Sequence, residues 1–432
     1  MSFKPIQKLN VSRTLSTGQQ VEVGTLAQNR QGVYFQYHDH YLGRFGNLSP
    51  YALNNTLALQ QAPAGPHQGL HGVFADSLPD GWGLLLQDRV FRQHGILPNL
   101  LTQMDRLAFV GQGAVGALAY APNSQYAAIT QGNVDLCELG QQAQAVFEGQ
   151  TGEVLQALVV SGNSGGARPK ALIYAQPGNW ANCSTAPRAG DEAWLVKFTS
   201  ASLPLGHEEG VCEAVYLQLA EQLQLEPPQH TLVQPGHANR EYPWLALKRF
   251  DYVANPAGPA GRMHMHSACG LLGADFRLPS LDYQVLIAAT RRLCKSPAAA
   301  QLQFRRAVFN LLASNQDDHS KNWAFLQNDK GHWQPAPFYD VTFSPHPHGE
   351  HSTAFAGFGK APPLKAVQGL AAAAGFANWG EARQIVEHTV HALAQFESLA
   401  KAVGLSEQTG ALIQKELEAT RKANKGLLGG AL

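Results

Sequence analysis

The stretch from Phe304 to Asp340 restricts the fold more than any other part of the chain. An apolar helical run, FRRAVFNLLAS, ends in Asn315-Gln316-Asp317-Asp318-His319-Ser320-Lys321-Asn322. WAFL, QNDKGH and WQPAPF then lead to Tyr339-Asp340. Two short runs around an Asn/Asp/Lys/Gly turn predict a β-hairpin. A hairpin returns the chain nearly to its start, so Asn322 and Asp340 should lie close together. An amide oxygen and a carboxylate meeting there suit a hard cation such as Mg²⁺, which keeps waters and binds substrate phosphates.

A second constraint lies upstream. LVVSGNSGGARPKALIYA, from Leu158, reads as strand, loop, strand. In its loop, Ser161 to Lys170, glycines let several N–H groups face one anion, and Arg168 and Lys170 add positive charge. Asn163, Ser164, Gly165, Gly166 and Ala167 form the candidate cradle. The loop matches neither the P-loop nor the Rossmann pattern, and an ordinary hairpin connection is the plain alternative. Lys197 lies mid-strand in WLVKF, pointing away from Val196 and Phe198. Such a lysine is often an edge or snorkelling residue. The helix that follows (208–225) offers Glu208, Glu209 or Glu213 as partners.

Composition narrows the class. The 432 residues carry 32 Lys+Arg against 32 Asp+Glu, with 44% hydrophobic and 15% charged. That excludes a disordered tail protein and argues against a free-standing nucleic-acid binder. Cys137, Cys183, Cys212, Cys269 and Cys294 are scattered, so neither a disulfide framework nor a zinc knuckle is expected. No signal-like start or bilayer-length apolar run stands out, which predicts a cytoplasmic chain that makes no use of a membrane. The pattern is α+β: a meander over 20–37, a helix within 74–95 capped by Asp80 or Ser77 with Leu84, Leu85, Val90 and Phe91 as its apolar side, a helix across 132–158, strands over 191–200 and 244–252, and helices over 281–293, 299–314, 381–400 and 406–425. Regions 1–122, 123–250 and 251–432 are the expected domains.

Asp317 and Asn322 are five apart, the D-x-x-x-x-N spacing of a kinase catalytic loop, in which the Asp engages the attacking hydroxyl and the Asn holds magnesium. Alone, the spacing is common, and a polar turn closing a helix would produce it. The order is more specific: Gly loop, strand Lys, helix Glu, linking strand, Asp/Asn loop, metal Asp. NQDDHSKNWAF, PFYD, GGARPKAL, WLVKF and the N-terminal VFADSLPDGWG together resemble HipA-type serine/threonine kinases, toxins of bacterial toxin–antitoxin modules. The resemblance covers nearly the whole chain. It implies a bilobed protein-kinase-like fold with a β-rich N-terminal subdomain and a mainly helical C-lobe, using ATP and Mg²⁺.

The resemblance also implies roles. Asp317 becomes the catalytic base, Asn322 and Asp340 the magnesium ligands, Lys197 the phosphate-binding lysine and Glu213 its partner. Lys248, Arg249, Phe250 and Asp251 match the adenine hinge; Lys170 and His319 would flank the phosphates, and Tyr339 the nucleotide. Relatives carry a loop serine whose autophosphorylation silences them; here Asn163 takes its place, leaving Ser164 and Ser161 as substitutes. The implied partners are a HipB-like helix-turn-helix antitoxin, operator DNA through that complex, and a protein substrate, best guessed as an aminoacyl-tRNA synthetase.

Two other readings stand beside this one. A catalytically degenerate kinase fold would act as an antitoxin/DNA corepressor. A two-metal phosphoesterase would use Asp317, Asp318, His319 and Asp340. His346, His348, Glu350 and His351 read as a surface loop before a metal site, because zinc spacing is lacking. His264 and His266 share a strand face and are read as structural or nucleotide-adjacent. Lys415, Arg421, Lys422 and Lys425, interleaved with Glu416 and Glu418, read as a solvated helix face.

Overall fold

The computed structural model describes residues 3–127, 132–151, 156–234, 242–255 and 258–428. Among these residues the strands form three main antiparallel sheets, each backed by its own apolar core. The first runs Gln60–Gln61, Gly32–Tyr37, Gln20–Asn29, Lys8–Thr14, Leu118–Ala121. Alternation in Lys8–Thr14 sends Leu9, Val11 and Arg13 inward, against Phe35, Tyr41 and Phe74. The expected meander over 20–37 is the centre of this sheet.

The second sheet runs His230–Val233, Trp244–Lys248, Glu192–Lys197, Lys170–Gln176, Asn179–Ser184, Asn133–Val134. Trp244, Phe198 and Ile173 pack one of its faces. The third is the expected hairpin, Ala324–Gln327 with Trp333–Pro335, extended by His264–Ser267. His264 and His266 are both buried there: His264 pairs with the Leu48 carbonyl, and His266 bridges Ser49 and Asp76. Their role is structural.

The C-terminal half is mainly helical. Tyr283–Cys294 starts at an Asp282 cap and buries Tyr283, Leu286, Ile287, Thr290 and Leu293 at helical spacing. Pro297–Leu312 has a Ser296 cap and a proline in its first turn. Leu364–Ala374, which is not among the helices expected from the sequence, joins Trp379–Leu393, Phe396–Ala402 and Glu407–Ala423 in the lobe, so the expected helices are present and the span 381–400 is two helices. Among the described residues no helix is long and apolar enough to cross a membrane, and the five cysteines are free.

Three expectations need correction. Leu158-Val159-Val160 is not a strand: it lies in the helix Gln156–Ser161, so the Gly loop joins a helix to a strand. The long helix expected across 132–158 is Leu136–Phe147 and that second piece, with residues 152–155 outside the described set. Within 74–95 the helix is Gly81–Gln93, and it buries Trp82, Leu86, Val90 and Phe91 while Leu85 is exposed. A short apolar run does not by itself separate a buried helix from a strand, nor fix which leucine faces inward.

Arg13 joins the first sheet to the hairpin. Its side chain is fully buried, donating to Tyr41 Oη at 3.1 Å, Gln327 Oε1 at 3.0 Å, and the Gln327 and Asn328 carbonyls at 3.2 and 3.1 Å. Asp329 lies 3.7 Å away. A second junction is steric: a Cβ on Gly72, in the helix Gly72–Ala75, would stand 2.0 Å from the carbonyl oxygen of Gly270, in Ala268–Leu272, so only glycine lets those two helices meet. Arg13→Ala is expected to cost on the order of 3 kcal/mol, because it strands buried acceptors. Chemical denaturation giving a loss below about 1 kcal/mol would contradict this account.

Candidate active site

A cleft of about 720 Å³ lies between the second sheet and the helical lobe, lined by residues of the Gly loop, by Lys197, Phe250, Asp317, His319 and Asn322, and by Asp340. Its floor is the loop after Pro297–Leu312. Ser314, at φ +51°, ends the helix, and Asn315 ties the turn by donating to Asn310 Oδ1 at 2.8 Å. The next two acids have opposite fates. Asp318 is buried, accepting from Tyr283 Oη at 2.5 Å and the Thr353 amide at 3.1 Å, and pairing with His351 Nδ1 at 3.0 Å. That anchoring turns Asp317 out into the cleft.

Asn322 donates from Nδ2 to the Asp317 carbonyl at 2.7 Å, which leaves its amide oxygen for a cation. His319 Nε2 stands 3.9 Å from Asp317 Oδ1. Partial burial raises the Asp317 carboxyl; His319 opposes this and Asp340 adds to it. Asp340 sits at φ +56°, in the left-handed region that few residues other than glycine adopt. The hairpin does bring Asn322 and Asp340 to one cleft. One carboxylate and one amide oxygen form a donor set that fits Mg²⁺, which binds through one or two carboxylates and retains water.

The roof supplies the opposite charge. Lys197 donates to Glu213 Oε1 and Oε2, both at 2.7 Å, and to Asp340 Oδ1 at 2.6 Å. Of the three glutamates open to the sequence, the structure selects Glu213; Glu209 pairs with Arg168 at 3.0 Å, and Glu208 binds Ser406 and Thr409. Burial opposes the charge on Lys197, but Asp340 and Glu213 together raise its pKa. Burial raises Glu213, which must share one ammonium with Asp340. Against burial, Lys197 and then Lys170 hold Asp340 well below the usual carboxylate range.

Lys170 is the direct cross-strand partner of Lys197. Two like charges opposite each other, both buried, are unfavourable without an anion between or beside them. Burial, with Lys197 adding to it and Asp340 opposing, pushes the Lys170 ammonium down to about 8. Its Nζ donates to the Gly165 carbonyl at 2.7 Å, inside the Gly loop.

Asp80 is the residue that sequence reasoning misplaced. It stands at the cap position of Gly81–Gln93, but its side chain makes no cap bond. It accepts instead from the Gly166 amide and pairs with Lys321, thus joining the Gly loop to the floor. Trp82 reinforces the grip, its backbone N–H donating to the Gly166 carbonyl at 3.0 Å and its indole N–H to the Lys170 carbonyl at 2.9 Å. Gly81, at φ +41°, approaches so closely that a Cβ would sit 2.7 Å from Ala167 Cα. No local signal distinguishes an aspartate that caps from one that reaches a loop 86 residues away.

The remaining expected residues divide. Phe250 and Tyr339 lie ring to ring, centroids 5.6 Å apart, and Tyr339 Oη donates to the Lys321 carbonyl at 2.6 Å. Lys248 pairs with Glu192. Asp251 is buried with its carboxylate fully engaged by Arg249, at 2.9 and 2.5 Å, and by the Gly116 amide at 2.8 Å. It therefore has no side-chain atom to give an adenine, and its role is structural. Ser161 is buried and donates to the Ala157 carbonyl at 2.7 Å, within its own helix. Ser164 lines the cleft beside Asn163 and Gly165, and its buried hydroxyl has no hydrogen-bond partner among the described residues. His351 is drawn away from His346 and His348 by Asp318, so those histidines do not converge.

Residues 162–411 match the HipA-like C-terminal domain family, and residues 17–121 match the HipA N-terminal domain. Y4mE of Sinorhizobium fredii, which carries a kinase designation, is 32% identical over 118 residues, 25% of this chain. That match spans 27% of the relative's own length. Among solved structures, the HipA, HipB and operator DNA complex of the Shewanella oneidensis MR-1 toxin–antitoxin system superposes with a TM-score of 0.69. It is 16% identical, covering 98% of this chain and 100% of that one, a likeness of fold.

Asp80→Asn is expected to loosen the Gly loop, seen as faster amide hydrogen exchange across residues 162–168. The lost charged hydrogen bonds are worth about 1.5–3 kcal/mol locally. Lys321 and the Gly166 amide depress the Asp80 carboxyl against burial. Its contribution is thus full above the unfolded carboxylate pKa and fades as pH falls through the folded one. Unchanged exchange at neutral pH in the variant would show that Asp80 does not hold the loop.

Proposed function

The chain belongs to the HipA family, and from that premise we propose that it is an ATP- and Mg²⁺-dependent protein kinase transferring a γ-phosphoryl group to a serine or threonine hydroxyl. One observation carries the reading: a buried Lys197 shared between Glu213 and Asp340, beside a second buried lysine, Lys170, under a Gly-rich loop. Kinases use a strand lysine on the phosphates, held by a helix glutamate, with a metal-binding aspartate across the cleft.

In this reading Lys197 and Lys170 bind the phosphates, and the Gly loop covers them. Asn322 and Asp340 would hold magnesium, which supplies neutralisation of the charge that builds on the phosphoryl oxygens. Asp317, open to the cleft, orients the substrate hydroxyl and accepts its proton. Rate then comes from positioning and charge stabilisation, with no covalent enzyme intermediate. A two-metal phosphoesterase fits less well, since Asp318 is spent on Tyr283, His351 and Thr353. The proposed biological setting is that of a toxin restrained by a HipB-like antitoxin, with operator DNA reached through that complex. An aminoacyl-tRNA synthetase is the proposed substrate class, on the family resemblance alone.

Asp317→Asn is expected to lower γ-phosphate transfer from radiolabelled ATP by roughly 10²–10⁴-fold. The ATP- and magnesium-dependent rise in melting temperature should survive the same change. Equal transfer by variant and wild type would remove Asp317 from the mechanism; no melting shift in the wild type would favour a degenerate scaffold. Lys170 is charged below about 8. ATP affinity should therefore fall as pH rises from 7.5 to 9.5, whereas Lys170→Arg, which stays charged, should give a flat profile. A wild-type profile as flat as the variant's would detach Lys170 from the phosphates.

A further inference from the structure

Far from the cleft in sequence, the first sheet gathers a different set of donors. Glu22 lies on Gln20–Asn29, and His38 and His40 lie where Gly32–Tyr37 gives way to the helix Asp39–Phe45. One ligand-capable atom from each of the three falls within 4.8 Å of the other two. His38 Nδ1 is 3.5 Å from Glu22 Oε2, and the two imidazole centroids are 5.6 Å apart.

Two features show that His38 is held in place there. Its backbone N–H donates to the Val23 carbonyl at 2.9 Å, continuing the strand ladder one residue beyond Tyr37. Its Nε2 is 3.4 Å from Thr25 Oγ1. A neutral His38 that donates from Nε2 to Thr25 presents its Nδ1 lone pair toward Glu22. This is the outer-shell hydrogen bond that fixes the tautomer of a metal-binding histidine. His38 also occupies the cap position of the following helix without capping it. Asp, Asn, Ser or Thr would serve the helix better there, so the imidazole is not explained by helix formation.

We propose that Glu22, His38 and His40 bind one divalent transition-metal ion, of which zinc is the representative. Two imidazoles and a carboxylate suit zinc, which takes three protein ligands and leaves a fourth position for water or an incoming donor. Magnesium and calcium favour all-oxygen sets and are poor candidates. With metal–ligand bonds of about 2.0–2.2 Å, tetrahedral donors stand about 3.4 Å apart. The Glu22–His38 pair already meets that spacing. The exposed side chains of Glu22 and His40 supply the remaining closure by rotation. The ion would tie the strand Gln20–Asn29 to the helix Asp39–Phe45, whose Tyr41 meets the buried Arg13. The site stands apart from the cleft and is independent of the kinase reading.

The test uses the full chain and zinc or cobalt ions alone. Competition with a chromophoric chelator should give one site per chain, weakened at least tenfold by His40→Ala and separately by Glu22→Gln. Cobalt should give the visible absorption of a tetrahedral ion in the wild type and lose it in both variants. Both substitutions are at the surface, and an unchanged far-ultraviolet spectrum checks the fold. Equal affinity and absorption in wild type and variants would mean an adventitious ion only, held by other histidines, and would overturn the proposal. So would failure of the wild type to bind either metal.

Discussion

One ammonium group organises the cleft. Lys197 reaches it from the second sheet, Glu213 from the helix behind that sheet, and Asp340 from the lobe below. A buried ion pair is weak evidence for stability, because desolvation offsets much of the attraction. Its value here is positional. Two carboxylates converge on one cation, so strand, helix and lobe must each be in register for either to be satisfied. The arrangement also leaves an imbalance: Glu213 is pushed toward its neutral form while Lys170 is pushed toward its own. Ligands carrying both a multivalent anion and a cation would relieve both tensions at once.

The N-terminal region is part of this machinery and not an appendage. Asp80 and Trp82 set the Gly loop, the Gly116 amide satisfies Asp251, and Arg13 binds the hairpin that links Asn322 to Asp340. Each contact joins the N-terminal region to a segment that lines the cleft or connects residues that line it. The two matched HipA domains are therefore continuous at the site.

Legibility from the sequence followed the range of the interactions. Asp317, Asn322 and Asp340 could be grouped because a five-residue spacing and a hairpin are local geometry. Lys197 was legible as a charge out of place in an apolar strand. Its pairing with Lys170 was not, because cross-strand register depends on which strands meet. Spacing alone leaves Glu208, Glu209 and Glu213 open; the family resemblance implies Glu213, and the helix's orientation does bring it to Lys197. Leu158-Val159-Val160 was misread because three apolar residues satisfy helix and strand alike. Asp251 resembles a hinge ligand in sequence, but its carboxylate is consumed by Arg249. The histidines at 346–351 were conspicuous by proximity in sequence, whereas Glu22, His38 and His40 meet across a strand pair.

The Arg13 clamp also bears on the order in which the molecule can be made. Its acceptors at Gln327 lie 314 residues further along the chain. During synthesis the first sheet can collapse early around its own apolar core, but its buried guanidinium has to wait for the hairpin to emerge from the ribosome. Contacts of such separation are slow to close and leave charged and apolar surfaces open in the meantime. The same hairpin carries the chain from Asn322 back to Asp340. The nascent chain therefore brings Asn322 and Asp340 together and fills its N-terminal sheet in one late event, and fragments ending before it would have neither.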